Sequence, residues 1–167
     1  MNKFHKLLRR IESGSSVTFV LAIALLSLLV KIPGSILGDF LVKSIGLGQA
    51  PYLSDQQIMK IDISHIITAI LIAPPLETFL GQALPIKIIS KFSNSKRVQI
   101  ITSALVFSLS HLPVLGFLFG AFFVGIVLSW GYIVKSKESK KKAFWLITLS
   151  HSIHNLIAFL ILLFFLK

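Results

Sequence analysis

The chain has 167 residues, 54% of them hydrophobic and only 14% charged, with a mean hydropathy of +0.86. Soluble domains carry roughly a quarter charged residues, so this composition excludes an ordinary soluble protein and identifies an integral membrane protein, one domain over residues 1–167. The net charge of +11 comes from Lys and Arg clustered beside apolar runs, the pattern of membrane topology and lipid contact, so the lipid bilayer is the expected partner and nucleic acid is not. With no cysteine, a disulfide framework, a thiol nucleophile and a thiolate metal site are all excluded.

In chain order, residues 1–16 form a basic amphipathic leader with Lys3, Lys6, Arg9 and Arg10, and residues 17–30 are the first apolar run. This start resembles a secretory signal peptide, but no Ala-x-Ala-like site follows and Lys31 closes the run, so an uncleaved first helix is expected. Pro33-Gly34 interrupts the apolar pattern, and residues 36–45 read as a kinked continuation or a re-entrant piece. The polar stretch 46–62, with Pro51, Asp55 and Asp62, reads as an external loop.

The second span is expected over 63–86, followed by a basic loop with Lys87, Lys91, Lys96 and Arg97. Residues 98–115 and 116–134 read as the third and fourth spans, joined by a tight turn around Pro113 and Gly116. The most basic loop, 135–142, precedes a last span over 143–166. The leader and the two basic loops hold four, four and five of the 17 Lys and Arg residues, which puts them and the N-terminus in the cytoplasm by the positive-inside rule. The expected fold is an all-α polytopic helix bundle in the cell membrane, of about five transmembrane helices, with a polar cavity within the membrane.

Polar side chains recur at depth on three of these spans. Glu77 is the only acidic residue inside a long apolar run, and an ionisable group there is a functional-site hypothesis by default. Thr78 is beside it and Gln82 five residues on. Phe107 and His111 lie one helical turn apart on one span, and His151 and Asn155 one turn apart on another. A carboxylate, two imidazoles and a carboxamide suit hydrolysis without a covalent nucleophile: Glu77 takes a proton from water, an imidazole orients that water, and the remaining groups donate to the oxyanion. Singly, each such residue is more often a contact between membrane helices. His154, facing partly away from His151, reads as such a contact, and Ser103, Ser108 and Ser110 as packing positions.

Three motifs in order now resemble a known family, the CAAX protease and bacteriocin-processing (CPBP, or Abi) proteins, which include the type II CAAX prenyl endopeptidases. Its members carry Glu-Glu-x-x-x-Arg, then Phe-x-x-x-His, then His-x-x-x-Asn or His-x-x-x-Asp. The matching positions are 77–82, Phe107 to His111 and His151 to Asn155, within a core of about 63–159. The resemblance implies an intramembrane endopeptidase acting on a peptide or protein substrate, with Glu77 as base, His111 as its partner, and His151 and Asn155 as oxyanion donors. Its cofactor is unsettled: a zinc ion on Glu77, His111 and His151 is geometrically conceivable, although no His-Glu-x-x-His pattern occurs. Thr78 and Gln82 replace the family's second Glu and its Arg, one negative and one positive charge removed together.

For so short a chain the resemblance points to bacterial small-peptide biology, the processing of a bacteriocin or immunity to one. A non-catalytic membrane protein that binds a bacteriocin is the alternative. A proton-coupled transporter would also use buried Glu and His, but it usually needs more spans and an internal repeat, neither of which the sequence shows.

Overall fold

A computed structural model describes residues 3–46, 62–112 and 115–165. Among the described residues there are six helices and no strand. We label them α1 (Lys3–Ser13), α2 (Ser16–Ser44), α3 (Ile63–Ile89), α4 (Lys96–Leu109), α5 (Leu115–Ser136) and α6 (Lys140–Phe165). Pro51 and Asp55 of the polar loop, and Pro113 of the turn before α5, lie outside the described residues.

Capping side chains open three of these helices. Ser15 Oγ accepts the Thr18 N–H at α2, Asp62 accepts the Ser64 and His65 N–H groups at α3, and Ser95 accepts the Val98 N–H at α4. Four helices are long and apolar enough to cross a membrane: α2, α3, α5 and α6. The protein is therefore a multi-pass membrane protein. The third expected span, 98–115, is shorter than the apolar pattern suggested. Its helix ends at Leu109 after 14 residues, about 21 Å of rise against the ~30 Å of a hydrocarbon core. Tight turns from His111 N–H to Ser108 O and from Leu112 N–H to Leu109 O close it.

The first span takes one of its two expected forms, the continuation past Pro33-Gly34. Helix α2 is one helix of 29 residues that runs through Lys31 and Pro33 to Ser44, with no re-entrant break. The run 17–30 alone rises only about 21 Å, so a crossing helix has to carry Lys31 within it. Beside Pro33 the helix packs closely on a neighbour. A Cβ on Gly34 would lie 2.7 Å from Phe123 Cδ2 and 3.1 Å from Gly120 Cα, and one on Gly120 would lie 2.5 Å from Ser35 Oγ. Small residues thus bring the α2 and α5 backbones together where no hydrophobic drive exists between helices in lipid.

Helix α2 packs along α5 and α6, and α5 along α4. Phe19, Ile23, Phe107, Leu128 and Ile147 fill the interior, while Leu21, Leu25, Leu29, Ile67, Leu71 and Phe79 face outward, as lipid contact requires. At the end that carries the basic loops, Lys135 Nζ donates to Glu12 O at 2.9 Å and to Glu138 Oε1 at 2.7 Å, and Lys142 Nζ donates to Glu138 Oε2 at 2.7 Å. These contacts tie the end of α1 to the α5–α6 turn. The two ammonium groups hold the Glu138 carboxyl down at about 2.

Two outcomes follow. Glu138 is ionised in the folded protein above about pH 2 but, unfolded, only above its ordinary value of about 4.3, so its stabilising effect is complete above that value and lost as pH falls towards 2. The melting temperature of the Glu138→Gln protein in detergent will therefore change less between pH 5 and pH 2.5 than that of the parent. A Cβ on Gly125 would lie 2.9 Å from Ala104 Cα, a backbone atom that cannot swing away. Gly125→Val will cost about 1–3 kcal/mol by overpacking the α4–α5 contact, seen as a lower melting temperature.

Candidate active site

The site is built on α3, and α3 is irregular for a reason written in its prolines. It contains two π-helical turns, Thr68–Ile72 and Phe79–Ala83, and prolines follow both: Pro74 and Pro75 after the first, Pro85 after the second. Proline has no N–H, so each leaves carbonyls one turn earlier without a donor. Ala73 N–H bonds to Thr68 O and residue 74 is proline, so the Ala69 carbonyl has lost both neighbours that would ordinarily satisfy it. Asn155 of α6 supplies the missing donor, Nδ2 to Ala69 O at 2.8 Å.

The second turn repeats the device. Pro85 removes the N–H that an α-helix would direct at Gly81 O, and Ser103 Oγ of α4 donates to that carbonyl at 2.6 Å. Ser103 has one proton and gives it to Gly81, so in its 2.8 Å contact with Ser129 the latter donates. Ser103 was read as a packing position; it is a buried hydrogen-bond bridge from α5 through α4 to α3. Gly81 also lets α4 approach, since a Cβ there would lie 2.8 Å from Phe107 Cδ2.

Glu77 sits in the six-residue segment Ala73–Thr78 between the two π turns. Its Oε2 lies 3.3 Å from His151 Nε2. Phe107 packs against both histidines, with ring centroids 4.8 Å from His111 and 5.5 Å from His151. His111 Nδ1 lies 2.8 Å from the Phe107 carbonyl, which accepts only, so the proton is on Nδ1 and Nε2 keeps a lone pair. The His111 ring stacks on Phe117 at 5.9 Å.

His111, His151 and Asn155 line one small polar cavity of about 60 Å³, and Glu77, outside that lining, contacts His151. The four residues singled out from sequence therefore gather around one place. The direct partner of Glu77 is His151, where the family resemblance had implied His111. Among the described residues no three His, Asp or Glu side chains come close enough to hold a metal ion, so the conceivable zinc set of Glu77, His111 and His151 is not assembled. The two positions that depart from the motif are fully buried: Thr78 Oγ1 and both amide atoms of Gln82 have no hydrogen-bond partner among the described residues.

Two further residues at the site escaped the sequence reading, and both come from α2. Lys31 lines the cavity with its ammonium 4.9 Å from the Phe117 ring centroid. Ser27, one turn earlier on the same helix, meets His154 Nδ1 at 2.7 Å and donates its own proton to Ala24 O at 2.8 Å, so His154 is the donor in that pair. His154 is thus the helix contact it was read as, and it also borders the cavity. One signal was available for Lys31: an apolar run of 14 residues is too short to cross alone.

A model of the family described as type II CAAX prenyl endopeptidase Rce1-like matches residues 60–157. That stretch holds all of α3, α4 and α5 and most of α6, with Glu77, His111, His151 and Asn155, and leaves out α1 and α2. No curated protein and no solved structure matches the chain.

Ser103→Ala strands the buried Gly81 carbonyl and the Ser129 hydroxyl together, a cost of about 1–3 kcal/mol. Thermal unfolding in detergent will show it, and Ser103→Thr, which keeps the hydroxyl, will recover part of the loss.

Proposed function

This chain belongs to the Rce1-like family of type II CAAX prenyl endopeptidases, and from that premise we propose that it hydrolyses a peptide bond within the membrane by glutamate-activated water. The observation that carries the reading is the 3.3 Å approach of Glu77 to His151 beside a cavity that His111 and Asn155 also line. Carboxylate, imidazole and carboxamide are the groups this chemistry needs, and they come together from α3, from the turn that ends α4 and from α6.

In the proposed reaction Glu77 takes a proton from a water that the Nε2 lone pair of His111 helps to orient. The oxygen of that water bonds to the scissile carbonyl carbon, and the carbonyl π electrons move onto oxygen. Asn155 donates to this oxyanion, and so does His151, whose Nε2–H turns to it from Glu77 once that carboxyl has taken the water's proton. Asn155 can do so while still holding Ala69, because its amide nitrogen carries two protons and the Ala69 carbonyl takes one. Collapse restores the C=O bond and breaks the C–N bond, and the proton on Glu77 passes to the departing amine. No covalent intermediate and no metal enters any step.

The substrate is a peptide or the C-terminal region of a protein, presented from the side of the basic loops, which we take as cytoplasmic together with the N-terminus. The biological setting we propose is bacterial small-peptide processing or immunity to a bacteriocin. Thr78 and Gln82 favour a second reading, in which the polar set only packs and the protein binds a bacteriocin without cleaving it. The motif charges are gone at these positions, and unpartnered polar side chains stand in their place.

Purified parent protein will cleave members of a peptide library, read by mass spectrometry. Glu77→Gln will lower kcat by about 10²–10⁴, the usual share of a positioned general base. His151→Ala will lower it by about 10²–10³, the usual share of an oxyanion donor. If Glu77→Gln cleaves as fast as the parent, glutamate activation is wrong. If neither protein cleaves and both protect cells from a bacteriocin equally, the binding reading replaces catalysis.

A further inference from the structure

The most costly charge in the pocket lies outside the region that matches the family. Lys31 is in the interior of α2, about 22 Å from its first residue and about 20 Å from its last at 1.5 Å per residue, too deep for a lysine side chain to reach either surface along the helix. An ammonium at such depth costs several kcal/mol, by order of magnitude, unless it is paired. Among the described residues none of the ion pairs involves Lys31, and Glu77, the carboxylate of the site, is engaged by His151. The Phe117 face at 4.9 Å offsets only part of that cost.

The placement is built. One face of α2 carries Ser27, Lys31 and Gly34 at successive turns. Ser27 is hydrogen-bonded to His154, and Gly34 is pressed against Gly120 and Phe123, so the contacts on either side of Lys31 hold it at the cavity. The cavity, at about 60 Å³, has room for roughly two waters. Any oxygen atom that enters it therefore lies close to the ammonium as well as to His151 and Asn155.

We propose that Lys31 is a catalytic residue, the cationic donor to the oxyanion that forms on the scissile carbonyl. This rests on the hydrolytic reading above. A charge that costs energy in the empty site and gains a partner only as negative charge develops stabilises the transition state in preference to the ground state, which is what raises kcat. It also assigns a role to α2: the N-terminal helix completes a site whose other parts lie within residues 60–157.

The test compares the parent, Lys31→Met, Lys31→Arg and Glu77→Gln in detergent. Each is assayed on a peptide the parent cleaves and on a phosphonate analogue of that peptide, whose tetrahedral anion mimics the oxyanion. Lys31→Met is expected to lose about 10²–10³ in kcat with little change in KM, and to lose phosphonate affinity by a similar factor. Its melting temperature should not fall, because a buried unpaired charge has been replaced by an apolar chain of similar length. Lys31→Arg should keep part of both kcat and phosphonate affinity. If Glu77→Gln is inactive while Lys31→Met turns over like the parent, the role of Lys31 is overturned and the hydrolytic reading stands. If Lys31→Met melts lower and binds peptide and phosphonate equally poorly, Lys31 is structural and the proposal fails. If Glu77→Gln retains activity, the hydrolytic reading itself falls, and the oxyanion role of Lys31 with it.

Discussion

A bilayer offers no water to a carbonyl that has lost its helical partner, and the geometry of the site follows from how this chain meets that constraint. Pro74, Pro75 and Pro85 remove three N–H groups from α3, the helix that carries Glu77. Two of the carbonyls left without a helical donor, at Ala69 and Gly81, are satisfied by Asn155 of α6 and Ser103 of α4. Each bond fixes the neighbouring helix at one height against α3. Asn155 is one turn from His151, so the Ala69 contact also sets the level at which His151 meets Glu77. Gly81 and Phe107 do the same for α4, one turn from His111. The prolines that weaken α3 as a helix thereby oblige α4 and α6 to dock on it in the register that assembles the cavity.

The site has a second layer of control in α2. Close contact at Gly34 and Gly120 brings α2 against α5, and that contact delivers Ser27 to His154 and Lys31 to the cavity. Phe117 links the two halves, with its ring under the Lys31 ammonium and stacked on His111. Electrostatically the pocket therefore holds one ammonium and three imidazoles, with the Glu77 carboxylate against one of them, within a low-dielectric surround where each contact counts for more than it would in water. The exchange of the motif's second Glu and Arg for Thr78 and Gln82 leaves the helix-spanning network intact, because neither residue takes part in it.

The membrane class and the helical bundle were legible in the sequence because both rest on hydropathy, and Glu77, His111, His151 and Asn155 could be picked out as candidates because each is a polar group at depth or half of an i, i+4 spacing. What escaped depends on pairing across the chain. Ser27 and His154 are 127 residues apart, and nothing in either neighbourhood names the other. Lys31 looked like the end of a span because apolar residues stop there, although the run before it was too short to cross. The length of α4 was overestimated for a related reason: apolar residues continue past Leu109, but the backbone turns at Ser110–Leu112 and hydropathy does not report a turn. The two π turns were signalled by their prolines, but which side chains would answer the freed carbonyls could be seen only once α4 and α6 were in place.

The account holds that Glu77 and His151 act as one unit at the cavity. A double-mutant cycle on kcat/KM tests this most directly, using Glu77→Gln, His151→Ala and the combination, all at equal folded fraction in detergent. If the pair works as a unit, the double variant will be hardly slower than the slower single one, because removing either residue already disables the other. If the two losses multiply, the residues act independently, and the 3.3 Å approach between them has no part in the chemistry.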